Sequence, residues 1–430
     1  MVSNSSTAKK RVRQVKLLSL APYPPFLICP PISGGAKHII KPLITLGDTG
    51  DYQISLLFPA PSQEHAGQVK SYLDGRPGFK KVEGVVCERQ PGDDEGVRQW
   101  VPDGALFLYR SPQYRQSLER FLQEGAFDIV VVETSYMAWT VPLIRKILPK
   151  ARIVLDLQNV EHLIMLRMVK NGNLSGTARE RYILEYRKTL SWEKRFWPEF
   201  DFCMAVSPLE AEIFSKYAPG VPVEVVVAGG GVATEVVRHR QPMPGISYGD
   251  IACVGTMWYP NVHGLLWFIE KVFPRVLARH PRTRLHIVGS GRPPASLQQV
   301  VGNKESIVYW GQVRDDRSIL AGAGVFVAPL FIGAGTRIKI MTAWSLELPV
   351  VSTTIGAEGL SCKNGIDIII ADTTDEFAAG VVKLLSDPLL REALGRNGQR
   401  LVDEKYSEQV AADKIKKFLA IVAKTKLKPK

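Results

Sequence analysis

Residues 328–360 read APLFIGAGTRIKIMTAWSLELPVVSTTIGAEGL, and this stretch decides the architecture. An apolar strand ends near Ala328. A loop of small residues follows at Gly333, Ala334 and Gly335, and a helix opens with Thr336, Arg337 and Lys339 at its start. Small side chains let the backbone approach a bulky group, the first helical turn offers N–H groups with no intrahelical partner, and two cations lie beside them. That combination suits a diphosphate. For an isolated Gly-x-Gly, an ordinary strand-to-helix turn with two solvated cations would be the better reading.

Working outward, short β-branched runs alternate with longer helical patterns along the whole chain, which predicts an α/β protein with parallel sheets covered by helices. In the first half, strands are expected at 15–20, 53–58, 128–132, 152–157, 202–206 and 223–227. Helices are expected at 37–46, 114–124, 179–197 and 208–217, the last capped by Ser207. The stretch 238–250, with Pro242, Pro244 and Gly245, reads as a hinge. A second series follows, with strands at 251–254, 284–288, 306–310, 325–328, 350–352 and 366–370. Its helices are expected at 262–277, 338–346, 375–385, 388–404 and 407–424. Segments 89–104 and 168–176 look irregular.

Length and composition agree with a large globular protein. The 430 residues are 45% hydrophobic and 23% charged, which excludes disorder and small disulfide scaffolds and favours two domains. The net charge of +13 sits mostly at the ends: five cations and no acid fall in residues 1–16, seven lysines and one acid in residues 411–430. The body between is nearly neutral and does not interleave cations with aromatics, so nucleic acid is not expected as a partner. Five widely spaced cysteines without a Cys-x-x-Cys pair fit a reducing cytoplasm. No apolar run is long enough to span a bilayer. The helix at 411–424 is amphipathic, with Ile415, Phe418, Leu419 and Val422 opposite lysines; it suits either anionic lipid or, more commonly, packing against the first domain.

The string at 328–360 resembles the C-terminal half of family 4 glycosyltransferases, in particular those reading Gly-Gly-Gly-Thr-Arg-x-Lys before the helix. CVGTMWYPNVHG (253–264), LHIVGSG (285–291) and VYWGQV (308–313) resemble other strand ends of that half. PISGGAK (31–37) and DLQNVE (156–161) resemble parts of the other half. The resemblance implies the GT-B architecture: two facing Rossmann-like domains, with the last helix crossing back to the first. The expected organisation is a basic tail over 1–13, an acceptor domain over 14–240 joined by helix 407–424, and a donor domain over 250–405.

It further implies a retaining transfer from a nucleotide-diphosphate sugar, a co-substrate, to a hydroxyl acceptor, with no other cofactor. Arg337 and Lys339 would neutralise the leaving diphosphate; the histidine common in the family's first domain is missing here, and Glu133, in its neighbourhood, is the residue read as orienting an acceptor hydroxyl. The donor would touch Gly34, Gly35, Thr256, Gly289, Gln312, Val313, Gly333, Ala334, Gly335, Thr336, Thr342 and Glu358. The structural alternatives are a tight turn at Gly34–Gly35, a surface loop at Gln312–Val313 and a cap or solvated acid at Glu133.

This chain departs from the pattern at several points. Thr342 and Ala334 stand where relatives carry acids. The turn Thr256–His263 lacks the Arg and Lys that often hold the diphosphate, and Glu347 replaces a small residue where left-handed backbone would favour glycine. No Asp-x-Asp occurs, and His162, His263 and His286 lack zinc-ligand spacing, so no metal is expected. The lost acids keep open a rival reading, a degenerate GT-B protein that binds a nucleotide or a partner without catalysis.

Overall fold

A computed structural model describes residues 13–24, 34–88, 95–227, 242–302, 304–313 and 315–426. Two wholly parallel sheets organise the chain. The first contains β1 (Val15–Leu20), β2 (Tyr52–Ala60), β3 (Phe79–Val86), β4 (Ile129–Glu133), β5 (Arg152–Leu157), β6 (Phe202–Ala205) and β7 (Val223–Val225), in the order β3-β2-β1-β4-β5-β6-β7. The second contains β8 (Ile251–Val254), β9 (Leu285–Val288), β10 (Ile307–Gly311), β11 (Val325–Ala328), β12 (Val350–Ser352) and β13 (Ile369–Ile370), in the order β10-β9-β8-β11-β12-β13. Both strand orders reverse direction once, between β1 and β4 and between β8 and β11. Ligands of open parallel sheets bind at such points, beyond the strands' carboxyl ends.

The strands are continuous apolar runs because both sheet faces are covered. β4 is buried along its whole length, and so is β11. The helices that position the cleft are α1 (Gly34–Asp48), α2 (Glu161–Asn171), α3 (Gly176–Phe196), α4 (Pro208–Tyr217), α5 (Tyr259–Trp267), α6 (Ile338–Ser345) and α7 (Glu408–Lys424). The aromatics of α3 and its end are core anchors. Trp192 Nε1 donates to Ser135 O at 2.8 Å and Trp197 Nε1 to Ser135 Oγ at 3.0 Å. Ser207 caps α4 as expected, accepting from Glu210 N at 3.4 Å.

The last helix returns to the first sheet. Ile415, Phe418, Leu419 and Val422 of α7 are buried with Leu17, Ile39 and Leu43, and Lys41 pairs with Glu408 at 3.3 Å. Its apolar face is therefore occupied by protein and is not open to lipid, which corrects the lipid alternative for that face. No helix among the described residues is long and apolar enough to cross a membrane.

Three expectations need correction. The strand expected at 366–370 shrinks to Ile369–Ile370, because Gly365 takes a φ of +78° and Lys363 N bonds Asp367 Oδ2 in a turn. The segment expected to be irregular at 168–176 is helical through Asn171, and Asp103–Tyr109 is a helix as well. The helix expected at 262–277 starts earlier, at Tyr259, and passes through a π-helical turn at Phe268–Val272 just ahead of Pro274, which has no N–H to donate. Residues 1–12, the basic tail apart from Arg13, lie outside the described residues, as do 228–241, which contain the first part of the expected hinge.

Candidate functional site

The carboxyl end of β11 carries the loop that opened the sequence analysis. Gly333 and Gly335 have φ of +146° and +73°, so the chain turns back on itself before α6. Arg337 is buried beneath that turn. Its guanidinium donates to the carbonyls of Ala334 and Gly335 and, at 3.2 Å, to Ile355 O. Burial pushes its pKa down to about 10, against the raising influence of Glu358 and Glu210, so it stays charged near neutrality. Arg337 thus holds the loop's carbonyls from within.

Lys339 reaches further. Its Nζ donates to Asn261 Oδ1 at 2.9 Å, and Asn261 Nδ2 donates to Thr256 O at 2.8 Å. The ammonium therefore sits on the turn after β8, against Gly255, at the place where the sequence showed no Arg or Lys. Burial lowers its pKa to about 8. Thr342, one helical turn on, spends its hydroxyl on Ile338 O at 3.0 Å. Gly289 follows β9 and must remain glycine, because a methyl group there would lie 2.1 Å from Gly255 O. Gln312 and Val313 follow β10, two strands from the reversal point. Gly34 and Gly35 are the first residues of α1, and the residues before them, 25–33, lie outside the described set.

Facing this loop is the carboxyl edge of the first sheet, and it is rich in buried acids. Glu133 at the end of β4 is 3% exposed and registers with Asp156 on β5. It accepts from Ser19 Oγ at 2.9 Å and from Gln158 Nε2 at 3.2 Å, and Tyr23 donates to Gln158 Oε1 at 2.7 Å. Burial, then the neighbouring Asp156, raises its pKa well above the carboxylate range. Glu133 is thus an enclosed acid within a side-chain network. Glu161 at the start of α2 is pushed up to about 8 by burial and by Glu193. Glu193 caps α2, accepting from Glu161 N at 3.0 Å and His162 N at 3.3 Å, which suits a carboxylate at a helix N-terminus.

The two edges meet. Gly335 N donates to Glu210 Oε1 at 2.7 Å, and Thr336 Oγ1 donates to Val206 O at 2.9 Å. In this closed form both groups, expected to face a phosphate, are bonded to the other lobe. Ala334 is 5% exposed in an apolar seam with Ile332, Ile164 and Met168 of α2, so a carboxylate at 334 would be buried without water. Arg167 of α2 forks the carboxylate of Glu358 at 2.6 and 2.7 Å and also donates to Gly333 O. Asn171 donates to Phe331 O at 2.8 Å. Sequence reading missed Arg167, Asn171, Glu210 and Asn261, since nothing in their local pattern separates them from surface polar residues. Among the described residues, no group of three or more His, Cys, Asp or Glu is arranged to hold a metal ion, and four cysteines are free.

Comparison with known proteins agrees with this architecture. Residues 249–387 match the family described as Glycosyl transferases group 1. An uncharacterized 44.6 kDa protein in the cps region of Klebsiella pneumoniae is 26% identical over 167 residues, 37% of this chain and 43% of that protein. A GDP-mannose-dependent monoacylated α-(1-6)-phosphatidylinositol monomannoside mannosyltransferase from Corynebacterium glutamicum is 26% identical over 160 residues, 35% and 42% of the two chains. The chain thus spans about two fifths of the length of these curated relatives. Among solved structures, sucrose-phosphate synthase from Thermosynechococcus elongatus superposes with a TM-score of 0.68 at 13% identity, covering 95% of this chain and 98% of that one. Anabaena HepE in complex with UDP and glucose gives 0.65 at 13% identity, covering 95% and 100%. The fold is that of the GT-B glycosyltransferases.

Proposed function

We propose that this chain is a glycosyltransferase that moves a sugar from a nucleotide-diphosphate donor to a hydroxyl acceptor, with retention and without a metal ion. One observation carries the proposal: Lys339 is seated on the turn after β8, beside the strand-order reversal, within the segment that matches the transferase family. A cation there meets the negative charge that develops on a departing diphosphate, and Arg337 fixes the loop that carries it. Retention needs no protein nucleophile if the departing oxygen takes the acceptor's proton on the same face of the sugar. The protein then supplies position and charge.

In this reading the donor unit is 250–405 and the acceptor unit is 14–240 with helix 407–424. Thr256, Gly289, Gly333, Gly335 and Thr336 line the diphosphate and sugar, Gln312 and Val313 the base, and Gly34 and Gly35 approach from the acceptor side. Glu133 acts on the acceptor through Gln158 and Tyr23. Contact with anionic lipid uses the lysine face of α7. A second reading, a nucleotide-binding scaffold, is favoured by Thr342, whose hydroxyl is spent inside its own helix.

The test is transfer and release of label from UDP-glucose and GDP-mannose, with and without EDTA, and NMR of the product anomer. Thermal shift with UDP, GDP and ADP runs in parallel. Retained configuration with EDTA-insensitive turnover is expected. Nucleotide binding without any sugar release would favour the scaffold, and an inverted product would remove the retaining mechanism.

A further inference from the structure

The loop that Arg337 shapes from beneath is also gripped from across the cleft, and that grip has a clear chemical form. Arg167 lies on α2, two helical turns past the Glu193-capped start, and its guanidinium makes three hydrogen bonds into the second lobe. Two run in parallel to Glu358, NH1 to Oε2 at 2.6 Å and NH2 to Oε1 at 2.7 Å, and NH1 also reaches the carbonyl of Gly333. The side chains are 14% and 20% exposed, so the pair is largely withdrawn from solvent. A planar fork on a carboxylate is the geometry in which arginine differs most from lysine.

Glu358 is close to the loop as well as to Arg167. The next residue, Gly359, has a φ of +80°, and a methyl group placed on it would lie 3.6 Å from Gly335 O and 3.1 Å from Ser207 Cβ. The segment after β12 therefore runs alongside Gly333–Gly335, and Arg167 ties the two together. Around the ion pair lies the apolar seam of Ile164, Met168, Ile332 and Ala334. Because α2 belongs to the first lobe and both anchors belong to the second, the contact exists only when the lobes are closed.

We propose that Arg167 is a positioning residue for the donor loop: by bridging Glu358 and Gly333 O across the cleft, it fixes the loop's shape when the lobes close, and so governs how the loop meets the donor. The proposal rests on the transferase reading, yet it makes a claim about the loop that is measurable without turnover.

The experiment uses the full chain and the variants Arg167→Ala, Arg167→Lys, Glu358→Gln and the exchange Arg167→Glu/Glu358→Arg. Hydrogen exchange by mass spectrometry reads the amides of 331–337 without ligand. Arg167→Ala is expected to speed exchange there roughly fivefold or more, while 285–288 stays as in the parent. Arg167→Lys keeps the charge but loses the fork and falls between. The exchange variant recovers part of the protection lost by Arg167→Ala.

Kinetics against UDP-glucose or whichever donor turns over then separate positioning from simple loss of folded protein. Positioning raises donor KM, about tenfold for Arg167→Ala, with a smaller change in kcat, whereas a smaller folded fraction lowers kcat alone. If exchange at 331–337 is unchanged in both Arg167→Ala and Glu358→Gln, the proposal is overturned. It is equally overturned if the exchange variant recovers nothing, because the effect then does not pass through the pair. Should Arg167→Ala not fold, Arg167→Lys and Glu358→Gln carry the same comparison. Altered exchange with no sugar transfer by the parent protein would leave the clamp standing and remove the transferase reading.

Discussion

The two edges that face each other across the cleft carry opposite chemistry, and each is withdrawn from water in its own way. On the first sheet the groups are acids, Glu133, Glu161 and Glu210, whose pKa values are raised chiefly by burial. On the second they are cations, Arg337 and Lys339, whose pKa values are lowered chiefly by burial. Burial thus moves both sets of groups toward their neutral forms. The difference lies in partners: the acids bond to one another's neighbours within their lobe, except Glu210, whereas the cations bond to loop carbonyls and an asparagine that a diphosphate oxygen can replace. On the proposed reading the second edge is arranged for an incoming anion, and the first for enclosure.

The strongest way to break this contrast is to remove the cation. Lys339→Ala is expected to lower kcat/KM for the donor about 100-fold or more, as loss of one preorganised donor at a developing charge does, with the melting temperature nearly unchanged. Since burial holds the Lys339 pKa at about 8, kcat/KM of the parent should decline as pH rises past that value, because the ammonium is lost. Lys339→Arg should move the decline upward, and a profile flat from pH 7 to 10 in the parent would separate Lys339 from the donor.

Wedging the two edges apart comes next. A methyl group at Gly335 would lie 2.5 Å from Gln158 O, and its φ of +73° already disfavours a side chain. Gly335→Ala is expected to cost roughly 100-fold in kcat/KM through misplaced groups and to increase the radius of gyration in solution scattering. Gly67→Ala, where nothing lies within 4 Å, serves as the control. Unchanged scattering and rate would show that the closed contact at Gly335 is not the working one.

On the acid side, Glu161 has its pKa raised from 4.5 to about 8, so the folded state keeps a proton that the unfolded state has released. Its stabilising share is present below pH 4.5 and is lost as pH rises toward 8. Glu161→Gln should therefore raise the melting temperature at pH 8 and leave it nearly unchanged at pH 5. Equal shifts at both values would place the acid in contact with solvent.

The smallest effect lies away from the cleft. Glu347 has a φ of +55° and ends α6, its N–H bonding Trp344 O while Leu348 N–H bonds Ala343 O. That pairing is a Schellman motif with glutamate in the position that favours glycine. Glu347→Gly is expected to stabilise the protein by about 1 kcal/mol in denaturant unfolding, with donor kinetics unchanged. A loss of stability would mean that the exposed side chain makes a contact worth more than the backbone strain.

Much of the architecture was legible in the sequence because parallel sheets announce themselves: β1, β11, β12 and the Ser207-capped α4 followed from apolar runs and capping alone. β3 and α2 were not, since the polar and charged residues of FKKVEGVV and EHLIMLRMVKN blur their periods. The departures at Ala334 and Thr342 were legible as departures, but their reasons were not. Ala334 fills a seam between lobes, and Thr342 bonds its own helix.

What the amino-acid order determined by itself was local: where strands end, where glycine lets the chain turn back, and which cations begin a helix. These depend on neighbours a few residues apart, so spacing and residue type suffice. Only the tertiary structure decided that Arg337 turns inward to the loop's carbonyls while Lys339 crosses to the turn after β8. It alone brought Arg167 to Glu358 and Glu210 to Gly335, 191 and 125 residues apart in the chain. Contacts of that range are set by how two separately formed sheets pack edge to edge, and no local pattern of residues encodes that distance.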